Sequence, residues 1–108
     1  MLVDTGAPWC IMDPLEIEPI QNQVEPMFRS ETPMSIRGIT YTGWIYRVPM
    51  TIPAIEGEPL DVDATVFVPD LRAGETWLHP NFIGLDGFLN RIHFAINPVE
   101  NLFYFGAV

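Results

Sequence analysis

Eleven prolines and eight glycines cut this 108-residue chain into short pieces. Proline removes a backbone donor and clashes with the preceding helical turn, so long helices are excluded where it recurs. Few stretches run more than a dozen residues without one. Short strands separated by turns suit that punctuation. The clearest strand spans 60–68, with Leu60, Val62, Ala64, Val66 and Val68 on one face and Asp61, Asp63, Thr65 and Phe67 on the other. A period of two marks a half-buried strand. Residues 44–52 alternate similarly through Tyr46, Val48, Met50 and Ile52, and Pro49 predicts an unpaired edge or a bulge there. Glu56-Gly57-Glu58 between these runs predicts a β-hairpin. Residues 93–96 and 102–105, around Asn97-Pro98, predict a second. A short helix is expected over 87–91. A helical turn fits 14–23, interrupted by Pro19, and 22–33 and 70–81 read as loops. The expected fold is all-β, in one compact domain.

Composition narrows the function. At 48% hydrophobic residues the chain can build a core, yet no apolar run approaches the roughly 18 residues of a membrane span. No signal peptide pattern opens it. Its one cysteine, Cys10, excludes an internal disulfide framework and a cysteine-based zinc site. On these grounds the compartment expected is the cytoplasm, although no residue names it. Fourteen acids face five arginines and no lysine, for a net charge of −9. The arginines, at 29, 37, 47, 72 and 91, do not cluster. A nucleic-acid partner needs a cationic surface to displace phosphate counterions, so that class is excluded.

The segment with most chemical content opens the chain: Met1-Leu2-Val3-Asp4-Thr5-Gly6-Ala7. Two aliphatic residues lead into a turn. Gly6 permits a sharp bend and a close backbone approach. Thr5 offers a hydroxyl to a neighbouring backbone or to a symmetry mate. Asp4 is then a carboxylate presented at a strand end. Alone, Asp-Thr-Gly is most often an ordinary turn. A second element, Phe82-Ile83-Gly84-Leu85-Asp86-Gly87-Phe88-Leu89, changes its weight.

Together, in this order, the two elements resemble the single-domain, retropepsin-like aspartic proteases, the retroviral-type enzymes and their bacterial relatives. Asp-Thr-Gly-Ala is similar to that family's catalytic motif, and Phe82-Ile83-Gly84 to its second signature, which packs beneath the active-site loop. The resemblance implies a closed acid-protease barrel with one short C-terminal helix. It implies Asp4, Thr5 and Gly6 as the catalytic loop, Gly84 as the signature glycine, a peptide or protein substrate, and neither cofactor nor metal. It also implies a homodimer, because the chemistry needs two facing carboxylates and the chain holds one Asp-Thr-Gly. The family's N-terminal strands have no counterpart before Asp4, so the expectation is one domain over 1–108 without them. Leu85 stands where the family often has arginine.

The resemblance further implies a flap over the site, expected at 35–46. Gly38 and Gly43 would lend it mobility, with Thr40 and Tyr41 near its tip. Trp44, Ile45 and Ile83 would offer apolar contacts to substrate. Other titratable residues read as structural. Cys10 sits between Trp9 and Ile11 as a small hydrophobe, and nothing places His79 or His93 beside it for cysteine-type catalysis. Asp61 and Asp63 read as a solvated strand face and Asp86 as support for the short helix. Glu16, Glu18, Glu25 and Glu31 read as solvated surface. The alternative function is a non-catalytic peptide- or protein-binding module that keeps the acid-protease fold.

Overall fold

A computed structural model describes residues 2–4, 6–20, 26–29 and 33–108. Strands make up 49% of the described residues and helix 11%, so the fold is mostly β. In chain order the strands are β1 (Leu2–Val3), β2 (Cys10–Ile11), β3 (Pro26–Arg29), β4 (Met34–Ile36), β5 (Ile39–Tyr41), β6 (Gly43–Ile52), β7 (Leu60–Pro69), β8 (Phe82–Ile83), β9 (Ile92–Asn97) and β10 (Leu102–Ala107). Six form one sheet in the order β1-β8-β2-β7-β6-β3, while β4–β5 and β9–β10 are separate hairpins. The expected closed barrel is therefore corrected: among the described residues the large sheet is open, with β1 and β3 at its two edges. Closure requires tilt and stagger carried all the way round. Strands of two residues, as β1, β2 and β8 are, carry little of either.

The spine is the β6–β7 pair, antiparallel in unbroken register from Gly43↔Pro69 to Ile52↔Leu60. The hairpin expected around Glu56-Gly57-Glu58 is present, with Gly57 at φ 85°. β3 registers against β6 only over 44–46, so the outer edge at Pro49 is unpaired among the described residues. That is where a donor-less residue fits. The half-buried reading of 60–68 holds only at its start. Asp61 and Asp63 are exposed, but from Ala64 onward both faces are buried. Val62, Ala64, Val66 and Val68 pack with Ile17, Phe88, Leu89 and Ile92. On the opposite face Phe67 is fully buried against Ile11, Ile36, Ile45 and Trp77. A strand covered on both sides has no polar face to display.

Among the described residues helix is confined to single turns. α1 (Pro14–Ile17) starts where Asp13 Oδ1 accepts the Leu15 N–H at 3.0 Å, with Pro14 in its first turn. It runs on as a 3₁₀ turn over Glu18–Ile20. The helix expected at 87–91 is corrected to a 3₁₀ turn at Leu89–Arg91. The loop expected over 22–33 is corrected at 26–29, which forms β3. A register irregularity between Pro26 and Phe28 interrupts its pairing, and such a strand leaves no alternation to read. The second hairpin forms as expected, with Asn101 at φ 55° in its turn. Among the described residues no helix is long and apolar enough to cross a membrane.

Candidate active site

Asp4 owes its position to backbone pairing. β1 runs parallel to β8 with Leu2↔Phe82 and Val3↔Ile83 in register, and the Asp4 N–H donates to Ile83 O at 2.9 Å. The chain then turns, and Ala7 N–H donates back to Asp4 O at 3.1 Å. Gly6 N–H donates to Asp4 Oδ1 at 3.0 Å, which fixes one carboxylate oxygen over its own turn. Such a local side-chain bond is a common device for holding a turn, and aspartate suits it. Thr5, the middle member of the motif, lies outside the described residues.

Beyond the turn the chain passes back along the other side of β8. Leu85 N–H donates to Ala7 O at 2.9 Å and Asp86 N–H to Pro8 O at 2.7 Å. Trp9 bridges Asp86, and Ile11 in β2 pairs antiparallel with Phe82. β8 is thus clasped between the two arms of one loop, with Asp4 at the bend. The crossing explains Gly84. A Cβ there would lie 2.2 Å from Trp9 O and 2.9 Å from Cys10 N, both backbone atoms that have no room to yield. Gly84 N–H also points at Cys10 Sγ, 3.4 Å away. Cys10 is wholly buried, and burial pushes its thiol above the ordinary range. Gly87, at φ 78°, is a second close approach: its Cβ would meet Thr65 Cβ at 2.5 Å.

The Asp4 carboxylate is exposed and lines a cleft of about 430 Å³. Gly6, Ala7 and Pro8 flank it, and Ile11 and Phe82 belong to the same lining. The remaining wall is β4 with the first residue of its turn, 34–37. β4 and β5 pair as Met34↔Tyr41, Ser35↔Thr40 and Ile36↔Ile39, so Arg37 and Gly38 alone make the tip. Both take positive φ, 51° and 81°. This is the mirror-image turn that suits the twist of a hairpin, and it favours asparagine followed by glycine. Arginine in a left-handed conformation costs about 1 kcal/mol or more.

The expected flap is therefore redrawn. The hairpin beside Asp4 covers 34–41, and residues from Gly43 onward belong to the large sheet. Thr40 is exposed on β5, one register pair behind the tip pair. Tyr41 is at the base, its ring edge-on to Trp77 at 5.3 Å. Gly43 is buried, and a Cβ on it would meet Val68 O at 2.3 Å, so close packing rather than mobility accounts for it. Ile45 is 1% exposed in the core beneath the hairpin. Trp44 alternates to the opposite face of β6, where Arg29 lies 5.4 Å over its ring and pairs with Asp70 at 2.6 Å. Ile83 packs against the core that holds Val62, Ala64, Val66 and Val68, and its neighbour Phe82 faces the cleft instead. A parallel partner fixes this parity, because successive strand residues point to opposite faces.

Asp4 and Gly6 are thus the expected residues that meet at the cleft, with Gly84 beneath the loop. Arg37, Ile36 and Phe82 join them there. The Arg37-Gly38 pair between two β-prone triplets was the available signal for the tip. Of the remaining titratable groups, His79 stacks edge-on against Trp77 at 4.9 Å, and His93 is exposed on β9. Asp61 accepts from Thr51 Oγ1 at 2.7 Å, and Asp63 accepts from Arg47 Nε at 2.7 Å. Asp86 is exposed beside the loop, as are Glu16 and Glu18 on the surface, while Glu25 and Glu31 lie outside the described residues. Comparison with family models, with curated proteins and with solved structures finds no match to this chain.

Proposed function

We propose that the chain is an aspartic endopeptidase whose site is completed by a second copy of itself. One observation carries the reading: Asp4 stands at the end of a strand, on a turn clasped over Gly84, with its carboxylate in a cleft walled by a hairpin. A rigid, presented carboxylate beside an apolar cleft is suited to acid–base work on a bound peptide. One carboxylate is half of what is needed, and a two-fold axis supplies the other.

The chemistry follows from charge. Two carboxylates within hydrogen-bond reach share a single proton, since ionising both is costly. The ionised member takes a proton from a water held between them. The protonated member donates its hydrogen bond to the scissile carbonyl oxygen. The water oxygen bonds to the amide carbon, giving a tetrahedral diol. The C–N bond then breaks as the nitrogen takes up a proton and leaves as an amine, and the diol becomes the new carboxylic acid. A bell-shaped pH–rate profile on the acidic side of neutrality is expected.

The test is peptide cleavage near pH 5 by the wild type and by Asp4→Asn, with solution mass measured on both. The reading requires a dimer that cleaves, loss of cleavage in the variant, and inhibition by a statine-type peptide whose hydroxyl mimics the diol. A folded chain that binds peptides but cleaves none, with Asp4→Asn binding equally well, would favour the binding-module alternative.

A further inference from the structure

The cleft beside Asp4 has an uneven lining. Most of it is apolar or small, and it holds one anion, Asp4, and one cation, Arg37. Of the five arginines, Arg29 and Arg47 are held by Asp70 and Asp63, Arg91 donates to Asp63 O, and Arg72 is exposed in the 70–81 loop, with no ion pair among the described residues and no part in the cleft lining. Arg37 is exposed and makes no ion pair among the described residues. It also occupies a position that local structure would give to another residue. The turn requires positive φ at both of its residues, and arginine is a poor choice for the first. A residue kept against its backbone preference, at the tip of a hairpin lining the candidate site, points to a role for its side chain.

We propose that Arg37 sets the specificity of the cleft by receiving a carboxylate of the bound peptide. This rests on the peptide-cleft reading above. A guanidinium presents a planar fork of donors matched to the two oxygens of a carboxylate, and such paired bonds add geometric selection to attraction. The surrounding surface strengthens the discrimination. At a net charge of −9 the protein repels anionic ligands generally, so a carboxylate gains only where a cation meets it. The favoured substrate is an apolar peptide with one acidic group near the scissile bond. That group is either an internal Asp or Glu side chain or the free C-terminal carboxylate of a short peptide.

The test uses three peptides with the same apolar frame. The first has an internal Glu and an amidated end, the second Gln and an amidated end, and the third Gln and a free end. The Glu position is scanned along the frame. Cleavage is measured for the wild type, Arg37→Gln and Arg37→Lys, and binding by fluorescence anisotropy is measured in the Asp4→Asn background. The proposal expects at least one acidic peptide to exceed the amidated Gln peptide by about fivefold or more in kcat/KM, through KM. That preference is lost in Arg37→Gln and partly kept in Arg37→Lys. Preference for the first peptide assigns an internal side chain, and preference for the third a chain terminus. Equal handling of all three, or a preference that survives Arg37→Gln, overturns the proposal while leaving the hydrolytic reading intact. Absence of cleavage combined with Arg37-dependent binding of acidic peptides overturns the hydrolytic reading alone.

Discussion

Glycines 6 and 84 sit on the same short crossing and are constrained in opposite ways. A Cβ at Gly84 has backbone at 2.2 Å, so Gly84→Ala forces the two arms of the clasp apart. Overpacking of this kind costs about 3 kcal/mol, which for a chain of this length lowers Tm by about 10 °C. Among the described residues a Cβ at Gly6 meets only Asp4 Oδ1, at 3.3 Å. Gly6→Ala is expected to leave Tm within a few degrees while displacing the carboxylate, so that cleavage falls much further than stability. Thermal melts alongside peptide cleavage check both. Cys10 gives a third expectation. Its buried, raised-pKa thiol stays protonated and shielded, so a thiol reagent at pH 8 should react only after denaturant is added. At this scale much was legible in the sequence. A glycine within an apolar run that also ends a motif signals close backbone contact. Which atoms make that contact depends on partners far away in the chain.

Elements that pair with their neighbours in sequence could be read directly, as β6–β7 and β9–β10 show. Elements made by distant pairing could not. β3 and the two-residue strands β1, β2 and β8 have too few residues to express a period, and their register comes from the tertiary clasp. The hairpin's bounds differ from the expected 35–46 for a related reason. Continuous β-prone residues from 34 to 52 hide the point where the hairpin ends and the sheet begins. Only the Arg37-Gly38 turn and the burial of Gly43 divide them. The same turn supports a stability test. Arg37→Asn suits the left-handed position and is expected to stabilise the fold by about 0.5–1 kcal/mol, seen as a small rise in denaturation midpoint. The long β6–β7 pair offers a pH test. The hydrogen bond from Arg47 holds the Asp63 carboxyl below its ordinary range. That contribution is complete above the carboxyl's unfolded value and is lost as pH falls through the lower folded one. The site is exposed, so the contribution is small and screened by salt. The Tm difference between wild type and Arg47→Ala should be largest near neutrality in low salt. It should vanish in strong acid, and a gap that widened on acidification would contradict the assignment.

The all-β character of the whole molecule follows from proline spacing and alternation, which act locally. Closure does not, because whether a sheet curls shut depends on strand tilt summed over all its members. The open order β1-β8-β2-β7-β6-β3 leaves β1, which delivers Asp4, at one edge of the sheet. Among the described residues β1 has one unpaired side, and such an edge can template pairing with another chain. On the proposed two-copy reading, this margin is where the second copy would approach Asp4. The proposed dependence on two copies has a direct quantitative signature. Wild type and Asp4→Asn chains are co-refolded at varied ratios and a fixed total concentration, and the initial rate of peptide cleavage is measured. A site built from two Asp4 residues predicts a rate proportional to the square of the wild-type fraction, about one quarter of full activity in an equal mixture. A linear decline, about one half in the same mixture, or cleavage that persists in Asp4→Asn alone, would contradict it.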